Sequence, residues 1–344
     1  MAKVAIVGAS GYTGGELLRL LAGHPELEVV VATGDTQAGQ PIAGLYPSLV
    51  GAYGDRVFDT WSPDAVDGVD LAFCGLPHGA SQAVVPTLRD RVGHIVDLAA
   101  DFRLADASLY PEWYGEAHTV PELLADAVYG LPELFRSEVE GAALIAGPGC
   151  YPTAAALALA PLLRAGLVEP TGIVVDAVSG VSGAGRAPKP TTTFCTADGD
   201  VTAYGLLRHR HTPEIEQTLT RVGGAPAQVI FTPHLVPMSR GMLATCYARP
   251  VAGTSAADVA AAMGDAYAGE RFVSVVPGSP STKATQGSNA AHVSAVLDER
   301  TGWVLALCAL DNLGKGASGA ALQCANLALG LPEDLGLSTV GVYP

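Results

Sequence analysis

Short, unbroken apolar runs punctuate the first 150 positions: Val4–Val7, Glu28–Thr33, Leu71–Cys74, His94–Leu98 and Ala142–Ala146. Runs this short, separated by helix-like stretches such as Gly14–Ala22, predict a parallel sheet covered on both faces. The segment Asp101–Glu140 breaks the rhythm with Pro, Tyr and Trp and predicts an excursion around that sheet. After Cys150 the pattern changes. Strands are predicted at Ile173–Val178, Gln228–Thr232, Met242–Ala248, Phe272–Val276, His292–Leu297 and Trp303–Leu310. The helices predicted among and around them are Thr153–Leu163, Pro213–Val222, Ser255–Ala268 and Lys315–Leu329. Ser255 and Asp258 have capping-box spacing, which marks a helix start. Strand-rich sequence with few helices predicts a second, α+β domain with a large mixed sheet. Gly180–Pro190 and Pro277–Gln286 are rich in Gly, Pro and Ser, as loops over a cleft are.

Composition narrows the function classes. A chain of 344 residues exceeds one average domain, and 49% hydrophobic with 15% charged content suits a well-buried enzyme. A net charge of −15 with no long basic run argues against nucleic acid or anionic membrane as a partner. The six cysteines show neither C-x-x-C pairs nor zinc spacing, so free thiols in a reducing compartment are expected, with no metal. Lys3–Val7 reads as a strand at once, leaving no room for a signal peptide. No apolar stretch is long enough to span a bilayer. The expectation is a soluble, cytoplasmic protein.

Gly8-Ala9-Ser10-Gly11-Tyr12-Thr13-Gly14 follows the first strand and opens the first helix. This G-x-x-G-x-x-G spacing lets the backbone approach a pyrophosphate whose charge rests on the helix N-terminus. Gly8, Ser10, Gly11, Tyr12, Thr13 and Gly14 are therefore candidate cofactor contacts, and the first domain is expected to be a Rossmann-type, doubly wound α/β fold. Asp35, near the end of the second strand, leans toward NAD. Thr33 and Thr36 offer hydrogen bonds to a 2′-phosphate, which leaves NADP open.

Gly147-Pro148-Gly149-Cys150-Tyr151-Pro152-Thr153 places one thiol between a strand and a helix. The positive end of the helix favours thiolate, the form that attacks carbonyl carbon. A buried structural cysteine in a tight turn is the bland alternative. A nucleotide domain followed by such a cysteine suggests hydride transfer to a carbonyl held as a thioester, which calls for an acid/base. His209-Arg210-His211, just before Thr212-Pro213-Glu214, is the best source. Arg103, Arg186, Lys189, Arg208, Arg210 and Arg240 are loop cations suited to an anionic substrate. The loop Ser182-Gly183-Ala184-Gly185 offers amides and a hydroxyl to a nicotinamide.

With these pieces in order, the chain resembles the N-acetyl-gamma-glutamyl-phosphate reductase family, which is similar in fold to aspartate-semialdehyde dehydrogenases. The motifs are Gly8–Gly14 (GASGYTG), Asp97–Arg103 (DLAADFR), Gly147–Thr153 (GPGCYPT), Val178–Arg186 (VSGVSGAGR), His209–Glu216 (HRHTPEIE), Pro237–Gly241 (PMSRG) and Asp311–Gly316 (DNLGKG). They cover nearly the whole chain. The resemblance implies Cys150 as acyl-accepting nucleophile, His209 as acid/base and NADPH as reductant. It implies Ser182, Gly183 and Asn312 near the nicotinamide, with Arg103, His211 and Arg240 on the substrate. Asp311 and Asn312 would hold geometry. It implies an NADP-binding domain over 1–149, completed by 312–344 as the last helix packs back, and a catalytic and oligomerisation domain over 150–311. Gly316, Ala317, Ser318 and Gly319 would permit that close packing. The expected substrate is an acyl phosphate, with inorganic phosphate released and a homo-oligomer (dimer or tetramer) as the assembly. In that scheme His209 takes the thiohemiacetal proton as the C–S bond breaks. Three alternatives remain open: an aminoadipyl-phosphate reductase, whose substrate differs by one methylene; an aspartate-semialdehyde dehydrogenase; and a non-catalytic redox-sensing regulator.

Overall fold

The computed structural model describes all 344 residues as two compact units. The first comprises Met1–Tyr110, Glu116–Pro148 and Ala317–Leu337; the second comprises Pro111–Gly115, Gly149–Gly316 and Ser338–Pro344.

The first unit is built on six parallel strands: β1 (Ala2–Val7), β2 (Leu27–Ala32), β3 (Leu71–Cys74), β4 (His94–Asp97), β5 (Val128–Tyr129) and β6 (Leu144–Ala146). Their order is β2-β1-β3-β4-β6-β5, so the winding reverses between β1 and β3. The apolar runs form strands because both faces are buried: β3 and β6 have no exposed residue. Helix Tyr12–Leu21 buries Leu17, Leu18 and Leu21 in a core that also takes Phe73, Val96 and Ile145. The C-terminal helix Gly319–Ala328 adds Ala321, Leu322 and Ala325 to the same core. Its predicted first turn differs: Gly314–Ser318 forms a wider π turn. Helix Ser81–Leu88 carries Pro86 inside it, which hides it from sequence periodicity.

The second unit has a seven-stranded mixed sheet of β7 (Ile173–Gly180), β8 (Thr202–Ala203), β9 (Val229–Val236), β10 (Met242–Ala248), β11 (Val273–Val275), β12 (Ala291–Asp298) and β13 (Trp303–Leu310). The order is β11-β12-β13-β10-β7-β9-β8. Alternation sets the faces. Met242, Ala244, Cys246 and Ala248 of β10 are buried while Leu243, Thr245 and Tyr247 are half-exposed. Helix Cys150–Arg164 is buried from Tyr151 to Leu163, all round, as its Ala- and Leu-rich sequence demands. It packs on β10, β13 and helices Thr212–Gly223 and Ala256–Tyr267. Ser255 caps the last of these with Asp258 in the predicted capping box.

Candidate active site

In the first unit the glycine loop sits at the C-terminal end of β1, where the strand order reverses. Gly8 has φ +92°, and a Cβ there would lie 2.5 Å from the Gly75 carbonyl oxygen. A Cβ on Gly14 would meet Ala9 Cα at 2.5 Å. Gly11 is the N-cap of helix Tyr12–Leu21, with no side-chain cap and no acidic residue in the first turn. That leaves the positive helix end for an anion, so the loop fits a dinucleotide pyrophosphate. Ser10 Oγ donates to Gly34 O at 3.0 Å, and the Thr13 carbonyl accepts from Ser318 Oγ at 2.9 Å. Tyr12 is 37% exposed beside them. Tyr46, invisible in the sequence pattern, donates to the carbonyls of Ser10 and Gly11 at 2.8 and 2.7 Å and fixes the loop from below. Thr33 is buried and its Oγ1 accepts the Gly8 N–H at 3.1 Å. Asp35 is exposed, with φ +46°.

Arg103 is a buried member of this unit. Its Nε donates to Gly147 O at 2.7 Å and its Nη2 to Leu98 O at 2.8 Å. It thus grips the backbone three residues before Cys150. Beside it, the fully buried Asp101 accepts from Gly79 N and Ser81 N at 2.8 and 2.9 Å, and its Oδ1 lies 2.6 Å from His78 Nδ1. Ser81 Oγ donates to Asp97 Oδ1 at 2.7 Å, and burial, helped by the Asp101 charge, pushes the Asp97 carboxyl up to about 7.

In the second unit Cys150 is the first residue of its helix and half-buried, with no acid in the first turn. Pro152 falls among the early positions whose amides have no helical partner. The Gly149 N–H, at the N-cap, donates to Oε1 of the fully buried Glu214 at 2.8 Å. From behind, the backbone of Gly316 presses on the thiol-bearing residue: a Cβ there would sit 2.9 Å from Cys150 Cβ. The smallness of Gly316 therefore serves Cys150 in this unit.

His209 lies in a cage of rings. Centroids of Tyr151, Tyr204, Phe231 and His211 stand 5.9, 5.4, 5.2 and 4.8 Å away. Its Nδ1 accepts the backbone N–H of His211 at 3.1 Å. Burial, and then the Arg210 charge, lower it to about 4, so the ring is neutral at physiological pH. The preceding turn is strained: Leu207 has φ +61°, and Gly205, at φ +60°, has no room for a Cβ beyond 3.0 Å from His209 Cδ2. Tyr204 Oη donates to Tyr151 Oη at 3.2 Å, and Tyr151 Oη to His234 O at 3.1 Å. Both phenols lie close enough to Cys150 to feel its charge; burial raises both, Tyr204 to about 12. His211 is buried at the N-cap of helix Thr212–Gly223.

A second cluster surrounds Asn312. Its Nδ2 donates to Ser182 Oγ at 2.9 Å and its Oδ1 accepts from Gly241 N at 2.8 Å. A Cβ on Gly183 would fall 3.8 Å from Asn312 Nδ2. Arg240 Nε pairs with the fully buried Asp311 at 3.0 Å, which also accepts from Gly287 N and Leu313 N at 2.6 and 2.9 Å. The fold thus packs His209 and His211 against Tyr151, the residue after Cys150, and brings Ser182 and Gly183 to Asn312, whose neighbour Asp311 pairs with Arg240. Arg208 and Arg210 are exposed. Tyr46 and Tyr204 carry no sequence signal, and the contacts of Glu214 with Gly149 and of Gly316 with Cys150 do not show within the motifs that hold them, because each partner is distant along the chain.

Residues 3–142 match the semialdehyde dehydrogenase NAD binding domain, and residues 150–312 match the semialdehyde dehydrogenase dimerisation domain. The chain is 49% identical to N-acetyl-gamma-glutamyl-phosphate reductase of Citrifermentans bemidjiense, covering 100% of each chain. To the enzyme of that name from Symbiobacterium thermophilum it is 50% identical over 99% of each. Among solved structures it is similar to aspartate semialdehyde dehydrogenase II of Vibrio cholerae complexed with ASA (TM-score 0.72, 16% identity, 96% of this chain and 98% of that one). Aspartate semialdehyde dehydrogenase of Candida albicans with NADP gives a TM-score of 0.69 at 15% identity, over 95% and 98% of the two chains. At such identities these two structures speak to fold alone.

Proposed function

The chain belongs to the semialdehyde dehydrogenase family, among its N-acetyl-gamma-glutamyl-phosphate reductases, and from that premise we propose the following chemistry for its residues. The reaction is the NADPH-dependent reductive dephosphorylation of N-acetyl-L-glutamyl 5-phosphate to N-acetyl-L-glutamate 5-semialdehyde, a step of arginine biosynthesis. Cys150 attacks the acyl carbon as thiolate, phosphate leaves, and a thioester remains on sulfur. The nicotinamide, when bound, supplies the hydride that reduces this thioester. His209 is the acid/base: it takes the hydroxyl proton of the reduced adduct as the C–S bond breaks, which returns the thiolate and frees the semialdehyde.

The observation that carries this reading is the placing of Cys150 at the start of a buried helix, with Tyr204, Tyr151 and the neutral His209 packed together beside it. Gly8, Ser10, Gly11, Tyr12, Thr13 and Gly14 hold the dinucleotide, and Ser182, Gly183 and Asn312 serve its nicotinamide end. Arg240, oriented by Asp311, takes an anionic group of the substrate, and His211 is a second substrate contact. Arg103 supports the Gly147 backbone and is a further candidate for an anionic group of the substrate.

The half-exposed face of the mixed sheet, with Val174, Tyr247, Trp303 and Leu305, meets a second copy of the chain. Six thiols and no disulfide suit the cytoplasm.

The test is turnover. Wild type with NADP, phosphate and N-acetyl-glutamate 5-semialdehyde should reduce the nicotinamide, and Cys150→Ser should lose activity by at least about 1,000-fold. Near-normal turnover of Cys150→Ser would refute the scheme. Faster turnover of the aminoadipate or aspartate semialdehyde would reassign the substrate.

A further inference from the structure

Resting on the assignment of Arg240 to an anionic group of the substrate, we propose that segment Ser338–Pro344 is a positioning strap for that arginine. The strap pins the peptide between Gln286 and Gly287, that peptide holds Asp311, and Asp311 holds Arg240.

The peptide is bonded at both ends. Its carbonyl oxygen, on Gln286, accepts the Val342 N–H at 2.7 Å. Its N–H, on Gly287, donates to Asp311 Oδ2 at 2.6 Å, and Arg240 Nε lies 3.0 Å from the same oxygen. In a trans peptide the C=O and N–H point in opposite directions within one rigid plane, so fixing either fixes the other. Bonds in such a row also polarise and strengthen one another. Glycine is what makes the strap necessary. Gly287 has φ +77°, and with no Cβ it lets the peptide before it turn over at small cost. A turned peptide would present an oxygen to the buried Asp311 carboxylate where a hydrogen now stands.

The strap works through its backbone. Gly341 lies so close to the loop that a Cβ there would sit 2.4 Å from the Ala284 carbonyl oxygen. Ser338 O accepts the Asn289 N–H at 2.8 Å, on the far side of Gly287. The side chains of Val340, Val342 and Tyr343 remain exposed. A segment that buries so little apolar surface contributes through the peptide groups it pairs, and all of these groups belong to the second unit.

Steady-state kinetics of the full chain with NADP, phosphate and N-acetyl-glutamate 5-semialdehyde test this. Val342→Pro removes the N–H given to the Gln286 carbonyl. Gly341→Ala drives the strap off Ala284 and leaves that donor in place. Each should raise KM for the semialdehyde about 10-fold, as loss of a hydrogen bond to a charged group does. Both kcat and KM for NADP should stay within about threefold, because only substrate binding is weakened. Val340→Ala, which trims a solvent-facing side chain, should match wild type. Arg240→Ala should raise the same KM at least about 100-fold. Adding either strap substitution to Arg240→Ala should raise it no further, since the strap acts only through that arginine. An unchanged KM in a folded strap variant, or the same rise with and without Arg240, overturns the proposal. If KM rises in Arg240→Ala but not in the strap variants, the failure is this inference alone. A wild-type KM in Arg240→Ala removes the underlying assignment, and the strap proposal falls with it.

Discussion

Gly316→Ala is expected to disable the enzyme from a position 166 residues away from the nucleophile. The added methyl carbon would lie 2.9 Å from Cys150 Cβ, 3.1 Å from the Asp311 carbonyl oxygen and 3.1 Å from Leu310 Cδ1. Carbon atoms pack best at about 3.5–4.0 Å, so about 0.6–1 Å of movement is required. Leu310 can swing aside, but Cys150 Cβ and the Asp311 carbonyl are tied to backbone. Overpacking of this kind costs about 1–3 kcal/mol of stability. A nucleophile displaced by about 1 Å loses about 100-fold in rate. The expected result is kcat down by about 100-fold, with slower iodoacetamide labelling of Cys150 and a Tm lower by a few degrees. Gly264→Ala is the control: Gly264 is exposed in helix Ala256–Tyr267 with nothing within 4 Å of a built Cβ. It should gain about 0.5–1 kcal/mol and leave kcat unchanged. If Gly316→Ala labels at the wild-type rate and keeps kcat within twofold, the packing argument is wrong.

Other substitutions probe the same construction. Glu214→Ala strips the Gly149 amide of a buried acceptor, at about 1–3 kcal/mol, and should lower both Tm and Cys150 labelling, while Glu214→Gln, which keeps an acceptor oxygen, should restore labelling. Asp97 is raised to about 7 by burial, so the unfolded chain ionises first and stability from this group falls as pH rises from about 4 to 7. Asp97→Asn removes that loss. In thermal melts its Tm relative to wild type should therefore climb between pH 5 and pH 8, and a constant difference would contradict the assignment. Leu207→Gly relieves a left-handed leucine that is 79% exposed, and should raise stability by up to about 1 kcal/mol in denaturant titration.

Much of the scaffold was legible in the chain because burial dictates it. Leu71–Cys74, Met242–Ala248 and Trp303–Leu310 form strands over the residues their apolar runs predict. The junction of β6 with the Cys150 helix was visible for the same reason, together with Pro152 in its first turn. Helix Ser81–Leu88 was not visible, since Pro86 breaks its pattern, and β5 is a two-residue strand made by pairing with β6 alone. Contacts that shape the candidate site across the chain were hidden too. Tyr204, Glu214 and Gly316 act only through tertiary contacts, and a glycine serving as a backstop for a cysteine looks in sequence like any glycine in a small-residue run.

The most direct measurement is mass spectrometry of enzyme incubated with N-acetyl-glutamate 5-semialdehyde and NADP in phosphate-free buffer, where oxidation can proceed to the thioester but phosphorolysis cannot follow. The account predicts an N-acetyl-glutamyl adduct on the peptide carrying Cys150, discharged when phosphate is added. An unmodified Cys150, or an acyl group on any other residue, would contradict it.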